Sequence, residues 1–89
     1  MTTTEILEAV KIDLGTKSTA YDARLTQMIE SARAYIEQEG ITLTDSVADS
    51  QLVIMYTAWL FRKRDEETGM PRMLRYALNN RVFKEKAGA

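Results

Sequence analysis

Between Leu52 and Phe61 the chain reads LVIMYTAWLF, and no other stretch constrains the fold as strongly. Wound as a helix, it places Leu52, Met55, Trp59 and Leu60 on one side, together with Val47. Val53, Ile54, Tyr56, Ala58 and Phe61 take up most of the remaining circumference. A helix that is apolar nearly all round has to be covered nearly all round. The run is about ten residues long, half of the roughly 20 needed to cross a bilayer, so it reads as a buried helix and no membrane is expected as partner. In a domain this small, three further helices would cover about two of its sides. The expectation is therefore that part of this helix, Tyr56 and Trp59 foremost, is covered by another molecule, because interface cores are enriched in such aromatics.

The chain has 89 residues, which suits one modest domain with a single small core, taken here as residues 1–89. With 45% apolar and 28% charged residues it has the make-up of a folded globule. It contains no cysteine and no histidine. A thiolate nucleophile, an imidazole base, a disulfide framework and the nitrogen and sulfur ligand sets of zinc or copper are thereby excluded, and no cofactor is expected. Carboxylate pairs such as Glu5 with Glu8, or Glu66 with Glu67, lack a partner that would build a pocket around them and read as surface charge, so an enzyme is not expected. Met1-Thr-Thr-Thr carries neither the basic nor the apolar region of a secretory signal, and the expected compartment is the cytoplasm.

Glycine punctuates the helical periodicity. Gly15, Gly40 and Gly69 each follow a periodic segment, where a left-handed residue ends a helix without a Cβ clash. Four helices are predicted, over about 4–14, 20–38, 46–64 and 71–84, making an all-α bundle. The first carries Ile6, Leu7, Val10 and Leu14 on one stripe, with Glu5 and Glu8 near its positive end. The second, capped by Ser18 or Thr19, spaces Tyr21, Leu25, Met28, Ile29, Ala32 and Ile36 at a 3.6-residue period. After Gly40 the stretch ITLTDSVADS leaves room for a brief extended segment before Thr44, Asp45 or Ser46 caps the third helix, but two or three extended residues make no sheet. Pro71 suits the first turn of the fourth helix. There Met73, Leu74, Ala77, Leu78 and Val82 form the apolar stripe, and Arg72, Arg75, Asn79, Arg81 and Lys84 point elsewhere.

Charge is unevenly distributed along the chain. Residues 1–49 hold nine acids against four bases, and residues 50–89 hold eight bases against four acids. The block Arg62 to Glu67 has an ordinary explanation, since cations in a last helical turn complement the helix dipole. Its functional reading is a subunit contact in which Arg62, Lys63 and Arg64 face acids of a neighbouring copy. The basic last helix raises the question of nucleic acid, but a pI near 5.4 and the lack of an aromatic stacking platform in a basic groove weigh against direct sequence-specific binding.

Two stretches resemble a known family. AYDARLTQMIESARAYIEQEGI, residues 20–41, looks like the second helix of the small head–tail connector proteins of tailed bacteriophages and prophages. VIMYTAWLFRKRDEETGMPRMLRYALNNRVFKEK, residues 53–86, is similar to the end of the same family in phages of low-GC Gram-positive hosts. In that family an aromatic-rich helix closing on RKR, a MPRMLR entry and ALNN recur together. The likeness spans about residues 5–86.

The resemblance implies a small all-α structural protein, without catalytic residues or cofactor, that assembles as a ring on the portal vertex after DNA packaging, dodecameric on the portal. It would join the portal protein to a tail-side connector or stopper, with DNA only as channel content. The implied location is the virion neck once assembled and the host bacterial cytoplasm before. A ring is a heterologous assembly, in which one face of a subunit meets a different face of the next. By the same resemblance, the assembly residues are Arg62, Lys63 and Arg64 with Met70, Pro71, Arg72 and Arg75. Arg81, Phe83, Lys84 and Lys86 are the candidates for docking on the portal, and Tyr56 and Trp59 are added from the apolar helix. The rival reading is a small DNA-binding regulator of a mobile element; a third is an adaptor subunit for a host enzyme.

Overall fold

A computed structural model describes residues 2–63 and 69–88. It contains four helices: α1 (Thr3–Leu14), α2 (Asp22–Gln38), α3 (Val47–Lys63) and α4 (Arg72–Ala87). No strand occurs among the described residues, and the chain is an all-α four-helix bundle.

Local chemistry sets most of the helix ends. Thr2 caps α1, accepting from the Glu5 N–H at 3.2 Å while the Glu5 carboxylate accepts from the Thr2 N–H at 2.8 Å, a reciprocal capping box. At the other end Gly15 takes φ 73°, and the N–H groups of Gly15 and Thr16 donate to the carbonyls of Ile12 and Lys11, so α1 closes in a Schellman motif. Gly40, with φ 99°, follows the last turn of α2. Gly69 does not follow this pattern, because it has no positive φ. Ser46 caps α3 by accepting from the Asp49 N–H at 3.1 Å.

The second helix starts later than its periodicity predicts. Neither Ser18 nor Thr19 caps it; Ser18 Oγ accepts instead from the Ala20 N–H at 3.0 Å, closing a local turn one step too early. Tyr21 stands at the N-cap position, but its side chain does not cap the helix. Asp22 supplies the negative charge of the first turn, and its carboxylate lies 3.1 Å from the Lys11 ammonium at the end of α1. Lys11 is buried, so this ion pair lets a lysine stem fill the α1–α2 corner.

Most of the apolar circumference expected to be uncovered on the third helix is covered within the chain. α3 is the central helix, in contact with α1, α2 and α4. Leu52, Val53, Ile54, Tyr56, Thr57 and Ala58 are all buried, and Met55, Trp59, Leu60 and Phe61 are half-buried against the same core. Ile6 and Val10 cover it from α1, Leu25, Met28, Ile29, Ala32 and Ile36 from α2, and Leu74 and Leu78 from α4. Aromatic contacts extend the cover: Tyr21 meets Phe61 edge-on with centroids 5.5 Å apart, and Tyr56 meets Trp59 in the same way at 5.5 Å. Thr57, the polar interruption of the run, donates its hydroxyl to the Val53 carbonyl at 2.7 Å and so leaves no buried polar group unpaired there. The cover comes from all three other helices, which pack against α3 together, where the sequence suggests that they would reach only about two of its sides.

Candidate interaction surface

The fourth helix packs on α3 through Leu74 and Leu78, both fully buried. Arg81 follows Leu78 by three positions and Leu74 by seven, so it lies on the same inward face. There it meets Asp49, the third residue of α3, whose carboxylate is only 2% exposed. Arg81 Nε donates to Asp49 Oδ1 at 2.7 Å and Nη2 donates to the Thr42 carbonyl at 2.8 Å. The other Asp49 oxygen accepts from the N–H and the hydroxyl of Thr44, each at 2.8 Å. Glu85, one turn beyond Arg81, accepts from the Thr42 N–H at 2.6 Å. The α2–α3 loop, the start of α3 and the middle of α4 are thereby joined in one polar lock.

The electrostatics of this lock are set by competition. Burial pushes the Asp49 carboxyl up, but the bonds from Arg81 and Thr44 together outweigh it and hold the group below the ordinary aspartate value. The bond to Asp49 raises the guanidinium of Arg81 in turn, against a smaller opposing effect of burial.

The outward side of α4 is different. Met73 is 75% exposed, Tyr76 57% and Phe83 75%. With the exposed Asn80 and Ala87 they follow spacings of three and four residues, which is the a/d pattern of a coiled-coil seam with a polar residue at its centre. Arg72, Lys84 and Lys86 flank this stripe, and none of the three forms an ion pair among the described residues. Met73 was placed in the buried stripe by its sequence spacing and Arg81 outside it, and both assignments are reversed. Leu74 sets the inward direction, and Met73, one residue away and so about 100° round the helix, turns off the core. The second stripe was detectable in the spacing of Met73, Tyr76, Asn80, Phe83 and Ala87, but a helix with two apolar stripes does not announce which one its neighbours cover.

The remaining candidate residues are dispersed. Tyr56 is only 8% exposed and belongs to the core, where burial pushes its phenol above the usual value, so it is no free anchor. Trp59 is half-buried, with the Lys63 ammonium 4.8 Å from its ring centroid. Arg62 is bound within its own chain, donating to the Asp13 carbonyl at 3.1 Å with the Asp13 carboxylate at 3.6 Å. Arg64 lies outside the described residues. Met70 is half-buried against the core, and Pro71 stands at the cap of α4, one position before the first turn expected for it. Arg75 lies 3.7 Å from Glu39 at the end of α2, while Arg72, Phe83, Lys84 and Lys86 are exposed. Arg72, Phe83, Lys84 and Lys86 thus share one exposed helix, while Arg62 is paired with α1 of its own chain.

Between α3 and α4 runs a groove of about 590 Å³, lined by Leu52, Met55, Ala77, Asn80 and Lys84 among others. Among the described residues no cluster of three or more acids is placed to hold a metal ion, and no helix is long and apolar enough to cross a membrane. No family model matches the chain, and neither a curated protein nor a solved structure matches it.

Proposed function

We propose that the protein is a structural component of a phage or prophage neck, a head–tail connector that assembles as a ring between the portal and the next tail-side protein. One observation carries the reading: the segment that bears the RKR, MPRMLR and ALNN resemblance also contains the helix whose Met73, Tyr76 and Phe83 are left uncovered. A set of exposed apolar side chains on one helix face, flanked by charge, is characteristic of an interaction surface. In this reading α4 is the assembly helix, and Arg72, Phe83, Lys84 and Lys86 act in contacts between proteins. Trp59 and the RKR block have a secondary part, because Arg62 is already paired with Asp13 of its own chain.

Mass photometry and negative-stain microscopy of the purified chain, alone and with a portal protein from the same phage or prophage, test this reading. Rings under either condition are the expected result; monomers under both would overturn it. A shift of duplex DNA by the free chain that weakens steeply with salt would instead favour a small DNA-binding regulator.

A further inference from the structure

Among the described residues outside α4, the most exposed large apolar side chain is Ile12, at 80%. It lies on α1, four residues after Glu8 and seven after Glu5, so the three share one outward face. Glu8 forms no ion pair among the described residues. This face is an apolar residue framed by acids, and the α4 stripe is a set of apolar residues framed by bases. Pairing α4 with α4 of another copy would set Arg72, Lys84 and Lys86 against their own kind, which like-charge repulsion opposes. The α1 face has the opposite sign.

We infer that the α4 stripe of one copy receives the α1 face of a second copy, with Ile12 seated against Tyr76 and Phe83 and with Glu8 and Glu5 facing Lys84 and Lys86. The inference rests on the ring reading and gives it a specific contact. α1 packs on α2 and α3 and α4 packs on α3, so the two faces are different parts of the surface of one subunit. A contact between unlike faces propagates from copy to copy, which is what a ring requires. The apolar side chains supply most of the attraction. The flanking charges are exposed and screened, so they set orientation and partner choice more than strength.

The lack of cysteine makes the contact directly testable. Ile12→Cys and Phe83→Cys chains, mixed with a short bis-maleimide, are expected to cross-link at least tenfold faster than either mixed with Gln27→Cys, an exposed control on α2. Equal rates would overturn the contact, as would faster cross-linking of Phe83→Cys with itself. In sedimentation, Ile12→Asp and Glu8→Lys are each expected to weaken self-association about tenfold, and Lys84→Glu is expected to restore association in the Glu8→Lys chain. Wild-type rings without the Ile12–Phe83 cross-link would refute this contact and leave the ring reading standing. No association of any copies would remove both. All the substituted positions are exposed, and helix content by circular dichroism is expected to stay unchanged.

Discussion

α3 and α4 show how poorly the apolar content of a helix forecasts what it exposes. α3 is apolar around most of its circumference, yet of its large apolar residues only Val47, in its first turn, is well exposed. α4 is an amphipathic, basic helix with an ordinary leucine pair on its buried side, and it leaves Met73, Tyr76 and Phe83 in solvent. The difference lies in neighbours. α3 touches the three other helices, while the main support of α4 is α3 alone. Exposure is a property of the arrangement, and a helix at the margin of a bundle uncovers even a moderate second stripe.

The sharpest way to break this comparison is a matched pair of truncations. Ile54→Ala in α3 removes a buried side chain and is expected to cost about 2–5 kcal/mol, whereas Met73→Ala in α4 should stay within about 0.5 kcal/mol. Urea unfolding measures both, and comparable losses would mean that α4 is covered after all.

Next in size is the lock that holds α4 to α3. Arg81→Met strands the Asp49 carboxylate, which is 2% exposed, and is expected to cost about 3 kcal/mol. Adding Asp49→Asn should recover part of that loss, because the stranded charge is then gone. A double-mutant cycle reads the coupling, and additive losses would show that the pair contributes nothing beyond its separate residues.

The same lock predicts a pH dependence. The Asp49 carboxyl is held below its ordinary value in the folded chain, so the stability it adds is fully present above about pH 4. It is lost as the pH falls through the folded value, because the unfolded chain takes up the proton first. Thermal unfolding between pH 7 and pH 2.5 is expected to show this acid loss in the wild type and a shallower one in Asp49→Asn. Equal slopes would remove Asp49 from the account.

The smallest effect belongs to the start of α1, outside both of the helices compared. Thr2→Ala removes one half of the α1 capping box and is expected to cost about 1 kcal/mol, seen as a lower urea midpoint. A neutral result would mean that the first turn frays in solution.

Much of the fold was legible in the sequence for reasons that particular residues make clear. The spacing of Leu25, Met28, Ile29, Ala32 and Ile36 matches the buried face of α2, because a 3.6-residue period leaves one solution; Tyr21, placed on the same stripe, instead stands at the N-cap and is exposed. Gly15 and Gly40 ended helices because a left-handed φ suits glycine above all. Ser18 misled because a serine hydroxyl closes a local turn as readily as it caps a helix.

The candidate surface was half legible. Phe83, Lys84, Lys86 and Arg72 were named and are exposed; Met73 was assigned inward, and Tyr76 was not singled out. Arg81 was read as a free cation because its partner Asp49 lies 32 residues away, in a stretch whose acids and hydroxyls all looked like capping residues.

Local energetics alone therefore determined that this chain makes four helices, which face of α2 is buried and where α1 and α2 stop, because those choices depend on residues within a turn or two of one another. Only the tertiary structure decided that α3 is enclosed, that Arg81 turns inward and that α4 keeps an uncovered stripe. Each of those outcomes depends on which helix lies alongside, and a side chain's distance from solvent is set by its neighbours in space.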